Sequence, residues 1–259
     1  FGYSHHITIL QFLSGYDNWI DFGVLWFAGA LLLFTLLYAM WRMMRVKTLQ
    51  KEKPFPSTST ILLFSIGLGA LSFLVRIIFP IGWILKPLGF QLGHFPQYIV
   101  TFILGIVASR SNWLNKLNYR QGKRMVIIAA CVVILIFPLF YILLTWLKFP
   151  SSYFSGGFVW PSLLYALWEQ TAGITTMTAL LCIGKQLLNK SSGLRSRLSR
   201  SAFAVYIFHP LVLICLSLAL KNWPIEPALK LLVVAPLAVT GSFLFGSVIV
   251  MIPGVKSVV

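Results

Sequence analysis

The sequence predicts an all-α protein, a polytopic bundle of transmembrane helices, on three observations. The 259 residues are 58% hydrophobic, with a mean hydropathy of +0.87. Only 10% of them are charged, whereas soluble domains carry about 25%. Seven apolar stretches reach or approach the ~20 residues that cross a bilayer as a helix; they lie at 22–42, 60–80, 95–110, 125–147, 160–184, 201–220 and 228–251.

Each stretch has its own boundaries. The first carries Trp26 at its opening, where an amphipathic ring suits the membrane interface, and runs to Arg42. The second follows the linker "KPFPSTST" (53–60) and ends near Arg76 and Pro80. Arg76 is close enough to the outer interface to snorkel. The third is short and is expected to begin within the turn-rich segment 81–94. There Pro96 fits a first helical turn and His94 stands where a cap would. The fourth is an almost unbroken apolar run. The fifth carries Glu169, the sixth Pro210, and the seventh closes the chain.

The net charge of +16 raises the question of nucleic acid. The placement of the charges answers it. Arg42 to Lys53, Arg110 to Arg124 and Lys185 to Arg200 are three clusters of five, and with Lys256 they hold 16 of the 21 Lys and Arg residues. They occupy every second boundary, in expected basic loops, as the positive-inside rule requires. The expected topology puts 1–20, 81–94, 148–159 and 221–227 outside and the C-terminus in the cytoplasm. Lipid is then the main partner, with anionic headgroups meeting the basic loops, and no nucleic acid is expected. Cys131, Cys182 and Cys215 lie in apolar runs and read as buried small hydrophobes. No His, Cys and carboxylate set has metal-ligand spacing; the pair His5–His6 and Asp17 and Asp21 belong to the outer N-terminal segment. The chain opens on Phe1 and reads as an N-terminally incomplete single membrane domain, 1–259.

Two places are out of keeping with lipid. Glu169 lies nine residues inside Trp160, so about 13 Å along a helix rising 1.5 Å per residue, near the bilayer midplane. A carboxylate there costs at least ~2.5–3.5 kcal/mol, and no cation on its own helix offsets it. Tyr165 shares its face and Trp168 flanks it. The alternatives are a functional carboxyl and a packing hydrogen bond. In "SAFAVYIFHPLVL" (201–213), Tyr206 and His209 share a face. Pro210 cannot bond the Tyr206 carbonyl, which leaves a free acceptor and a kink beside the imidazole.

These pieces together carry a resemblance. "LWFAGALLLFTLLYAMWR" (25–42), "FPQYIVTFILGIVASRSNWL" (95–114), "YALWEQ" (165–170) and "SAFAVYIFHPLVL" (201–213) resemble, in order and spacing, the acyltransferase-3 family of bacterial integral-membrane acyltransferases. The resemblance implies ten helices, of which these would be the fourth to the tenth, in the bacterial cytoplasmic membrane. It implies transfer of an acyl group, often acetyl, from acyl-CoA as donor substrate to a hydroxyl of a surface carbohydrate, with no bound cofactor. The family's best-supported catalytic pair, an Arg and a His on the first helix, has no counterpart in this chain. What carries over is Trp26, Arg76, Pro96, Tyr98, Trp168, Glu169, Tyr206 and His209. Glu169 and His209 are the candidate catalytic residues; Trp26, Arg76, His94, Tyr165, Trp168 and Tyr206 are the candidate substrate-binding residues. The competing class is a transporter or flippase for a glycan or acyl carrier, with Glu169 as its coupling site. Paired broken helices in two related halves would favour it, and Pro138 and Pro210 show no such correspondence.

Overall fold

The computed structural model describes residues 23–44, 52–85, 88–189 and 192–252. Helix α1 is Trp26–Met44, α2 is Thr58–Ile78 and α3 is Phe95–Arg110. Tyr119–Ala130 (α4) passes through a π turn, Cys131–Ile136, into Phe137–Trp146 (α5) without a break. Trp160–Leu187 is α6, Gly193–Ala219 is α7 and Pro227–Met251 is α8. The all-α bundle expected from the sequence is the fold observed, and the protein is a multi-pass membrane protein.

The helix starts follow from local chemistry. Ser57 and Ser192 accept backbone N–H bonds from Thr60 and Arg195, and Asn118 accepts one from Arg120. Each satisfies a donor that the first turn leaves open. Pro96, Pro161 and Pro227 stand at helix starts, where the missing N–H costs nothing. These caps also correct the expected basic loops. Arg120, Lys123 and Arg124 lie in the first turns of α4, and Arg195, Arg197 and Arg200 in those of α7. The helices run past their apolar cores because their caps sit farther out.

Among the described residues, six helices are long and apolar enough to cross a membrane: Trp26–Met44, Thr58–Ile78, Leu92–Arg110, Tyr119–Trp146, Gly193–Ala219 and Leu229–Met251. The third does begin before residue 95, as expected. The 28-residue α6 is not among the six. Its polar residues lower its hydropathy, and several of them turn inward: Ser162, Gln170, Thr175 and Thr178 are buried, whereas Thr176 is exposed. Polar groups at membrane depth turn toward other helices, where they find partners.

The chain divides into two compact units. The first contains residues 28–189. In it α6 packs between α2 and α4. A Cβ on Gly69 would come within 2.8 Å of the Leu167 Cα, so α2 and α6 approach there as only a glycine permits. Ser65 donates to the Thr171 hydroxyl one turn away. Ile61, Leu68, Met125, Ile174 and Ala179 form the apolar core. The linker is strapped to the turn Trp113–Lys116 by the Trp113 indole on the Lys53 carbonyl and by a Lys116–Glu52 ion pair. The Lys116 hydrogen bond holds the Glu52 carboxyl below its ordinary range. The second unit contains, among the described residues, 23–27 and 192–252. There α7 packs on α8, with Ser201 and Ala204 buried.

The cysteine expectation holds only for Cys182. Cys131 and Cys215 are exposed, which lipid tolerates because a thiol is a small hydrophobe that needs no partner. His5, His6, Asp17, Asp21, Arg45, Lys47, Lys51, Lys190 and Lys256 lie outside the described residues.

Candidate functional site

Glu169 has a cation, and it comes from another helix. Arg76, in the last turn of α2, is fully buried. Its Nη2 donates to Glu169 Oε2 at 2.5 Å. The expected snorkelling of Arg76 is therefore wrong. A guanidinium at a helix end can reach water, but here a carboxylate and a carbonyl inside the bundle hold it more strongly. Nε donates to the Gly93 carbonyl at 3.2 Å, and Nη2 lies 3.2 Å from His94 Nδ1. Guanidinium nitrogens only donate. His94 Nδ1 must therefore accept, and its ring proton sits on Nε2. The side chain of His94 makes no capping bond, so the capping expectation also falls. Glu169 Oε1 is 3.7 Å from the same Nδ1, too far for a hydrogen bond.

The carboxylate is thus pinned through one oxygen, while the other is open. Glu169 is 25% exposed and His94 16%, against 0% for Arg76. The Tyr98 ring lies 6.3 Å from that of His94.

Local sequence explains how Arg76 is held. Pro80 stops α2, and the chain loops back through an isolated bridge between Leu85 and Phe90 to bring Gly93 beneath the guanidinium. The Gly157 N–H bonds the Arg76 carbonyl at 3.2 Å, and Ile81 bonds the Ser155 carbonyl at 2.6 Å. A Cβ at Gly156 would meet the Arg76 carbonyl at 2.5 Å. Glycine there lets the 148–159 segment close over the end of α2.

One wall is aromatic. Trp168 stacks on Phe137 at 4.2 Å, and Tyr165 lies 5.5 Å from Trp168. The π turn sets this wall. Pro138 has no N–H, and its ring would strike the Ile134 carbonyl in a regular helix. The wider turn makes room, with the Phe137 N–H on the Val132 carbonyl. That same carbonyl accepts from the Trp168 indole at 2.9 Å. Beside Glu169, Gln170 donates to Gln97 at 2.5 Å, which ties α6 to α3.

The structure therefore gathers Arg76, His94, Tyr165, Trp168 and Glu169 in the first unit. Tyr206, His209 and Trp26 belong to the second. There the Tyr206 hydroxyl donates to the Val24 carbonyl, and Trp26, the first residue of α1, lies edge-on to Phe27. The carbonyl freed by Pro210 is not empty. His209 Nδ1 reaches the Tyr206 carbonyl at 2.9 Å. A carbonyl only accepts, so Nδ1 carries the proton and a neutral ring presents its lone pair at Nε2. His209 is exposed.

Two buried hydroxyls escaped the sequence reading. Ser72 and Ser162 have buried hydroxyls without a partner among the described residues, as has Arg76 Nη1. The available signal was a stripe of small residues, Ser65, Gly69 and Ser72, leading at helical spacing to Arg76. Among the described residues no three His, Cys, Asp or Glu side chains come together as metal ligands.

A family model described as an acyltransferase domain, Acyl_transf_3, matches residues 1–247. No curated protein and no solved structure matches the chain.

Proposed function

The chain belongs to the Acyl_transf_3 family of acyltransferase domains, and from that premise we propose that this membrane acyltransferase moves an acetyl or similar acyl group from acyl-CoA to a hydroxyl of an extracytoplasmic glycan. The hydroxyl oxygen attacks the thioester carbonyl carbon, the C–S bond breaks, and CoA leaves as the thiol once it takes the proton. A base must receive the hydroxyl proton as attack proceeds, because alcohols are poor nucleophiles at neutral pH.

One observation carries the assignment of the acceptor side. Buried Arg76 pins Glu169 through Oε2 and leaves Oε1 open beside an aromatic wall. An open carboxylate oxygen accepts from a sugar hydroxyl and raises the electron density on its oxygen. The faces of Tyr165 and Trp168 suit the apolar face of a sugar ring. Arg76 is a positioning residue in this scheme, and His94 offers its Nε2–H to a second acceptor oxygen. With the 81–94 and 148–159 loops outside and the C-terminus in the cytoplasm, as the basic bias favours, the carboxylate serves an acceptor that arrives from the outer side. In the second unit, His209 is a separate candidate, with Nε2 free to take a proton.

The test is transfer of labelled acetyl from acetyl-CoA to glycan by membranes that carry the full-length protein, normalised to folded protein. Glu169→Gln should lower transfer by about ten-fold or more, as expected for loss of a positioned acid–base group. Unchanged transfer per folded molecule removes Glu169 from the reaction. Absence of label transfer with movement of intact glycan across the membrane supports a transporter instead.

A further inference from the structure

At the other end of α2 and α3, away from Glu169, two cavities share a lining residue, Gly105. One, of 290 Å³, lies among α2, α3 and α6 and is lined by Phe64, Leu104, Ile174, Met177 and Leu181. Its three threonines bring no free hydroxyl. Thr60 bonds Ser57, Thr101 bonds the Gln97 carbonyl and Thr178 bonds the Ile174 carbonyl. The Trp113 indole is also engaged, on the Lys53 carbonyl. The slot therefore offers a ligand nothing but apolar contact. The second cavity, of 460 Å³, is lined by Arg42, Arg110, Ser109 and Tyr38. Tyr38 steadies Arg110, whose Nη2 donates to its hydroxyl while the guanidinium lies 5.7 Å from its ring centre.

Gly105 lines both cavities. A Cβ there would meet nothing within 4 Å. One side of α3 thus has a gap, with two arginines on one side of it and a hydrocarbon slot on the other.

We propose that this is a binding site for a glycerophospholipid, with its phosphate between Arg42 and Arg110 and one acyl chain passing Gly105 into the apolar slot. Guanidinium is the side chain best matched to phosphate oxygens. A chain of methylene groups needs no hydrogen bonds, so the slot costs it nothing. The pantetheine arm of an acyl-CoA would bury two amides there without partners, at a cost of several kcal/mol on alkane-like scales. The arginines close α1 and α3 at the end where the basic bias places anionic headgroups. The site stands apart from the acyl-transfer reading and survives its failure.

The experiment is native mass spectrometry of the purified full-length protein, released from nanodiscs that contain equal amounts of phosphatidylglycerol and phosphatidylcholine. One phospholipid per chain should outlast delipidation, with phosphatidylglycerol in excess. Retention should fall about ten-fold in Arg42→Ala, the loss of one charge-assisted interaction. It should fall comparably in Gly105→Leu, whose side chain enters open space, while Gly105→Ala retains the lipid. Palmitoyl-CoA at the lipid concentration should leave the lipid in place. Equal retention in wild type and both variants overturns the site. Loss in only one of the two overturns the joined head-and-chain geometry, and displacement by palmitoyl-CoA overturns the lipid assignment.

Discussion

Arg76 and Glu169 should not be equally costly to lose. Arg76 is completely buried and Glu169 is 25% exposed. A guanidinium keeps its charge under all ordinary conditions, whereas a carboxyl can take a proton and become neutral. Glu169→Leu leaves a buried, permanent charge whose Nη1 already lacks a partner among the described residues and whose Nη2 keeps only His94 among them. Breaking a buried pair from that side costs ~3–5 kcal/mol. Arg76→Met leaves a partly exposed carboxyl that can protonate, so the expected cost is the charged hydrogen bond, ~1.5–3 kcal/mol, and about 1 kcal/mol more for the lost bond to the Gly93 carbonyl. The double variant puts apolar side chains on both sides; replacing the pair itself is often neutral, so what remains is the lost bond to the Gly93 carbonyl, about 1 kcal/mol. The two single costs together should therefore exceed that of the double variant by ~4.5 kcal/mol or more, a coupling energy far above the ~0.3–0.5 kcal/mol scatter of independent sites. Unfolding of the four proteins in mixed micelles measures the cycle. Additive costs, or an Arg76→Met variant as unstable as Glu169→Leu, would refute the reasoning. The double variant also separates fold from function. It should be stable yet inactive, and a stable, active double variant removes the pair from the acyl-transfer site.

Two further predictions concern the bundle. Cysteines introduced at Ser155 and Asn222 should label from outside and those at Ser57 and Ser192 from inside, and outside labelling at Ser192 reverses the orientation. Trp168→Phe keeps the stack on Phe137 but loses the bond to the Val132 carbonyl, so stability should fall by about 1 kcal/mol; an unchanged unfolding midpoint shows that the π turn does not depend on the indole.

The sequence by itself determined the helices, because lipid leaves a backbone no partners outside its own segment. Hydrophobic length then reports span existence almost directly, and Ser57, Asn118 and Ser192 mark starts through purely local bonds. It also singled out Glu169, since a carboxylate in an apolar run is conspicuous without any knowledge of its surroundings. Which group answers that carboxylate was decided only in three dimensions. Arg76 lies 93 residues away, and from its position near a helix end snorkelling and pairing are equally compatible with the chain. The choice depends on the close approach of α2 and α6 at Gly69, on the loop that lays Gly93 under the guanidinium, and on Gly156 closing over the Arg76 carbonyl. The exposure of Cys131 and Cys215 and the burial of one face of α6 have the same origin. Apolar residues are at home both in lipid and in a protein core, so hydropathy cannot separate the two, and only the packing of one helix against another decides which face meets which.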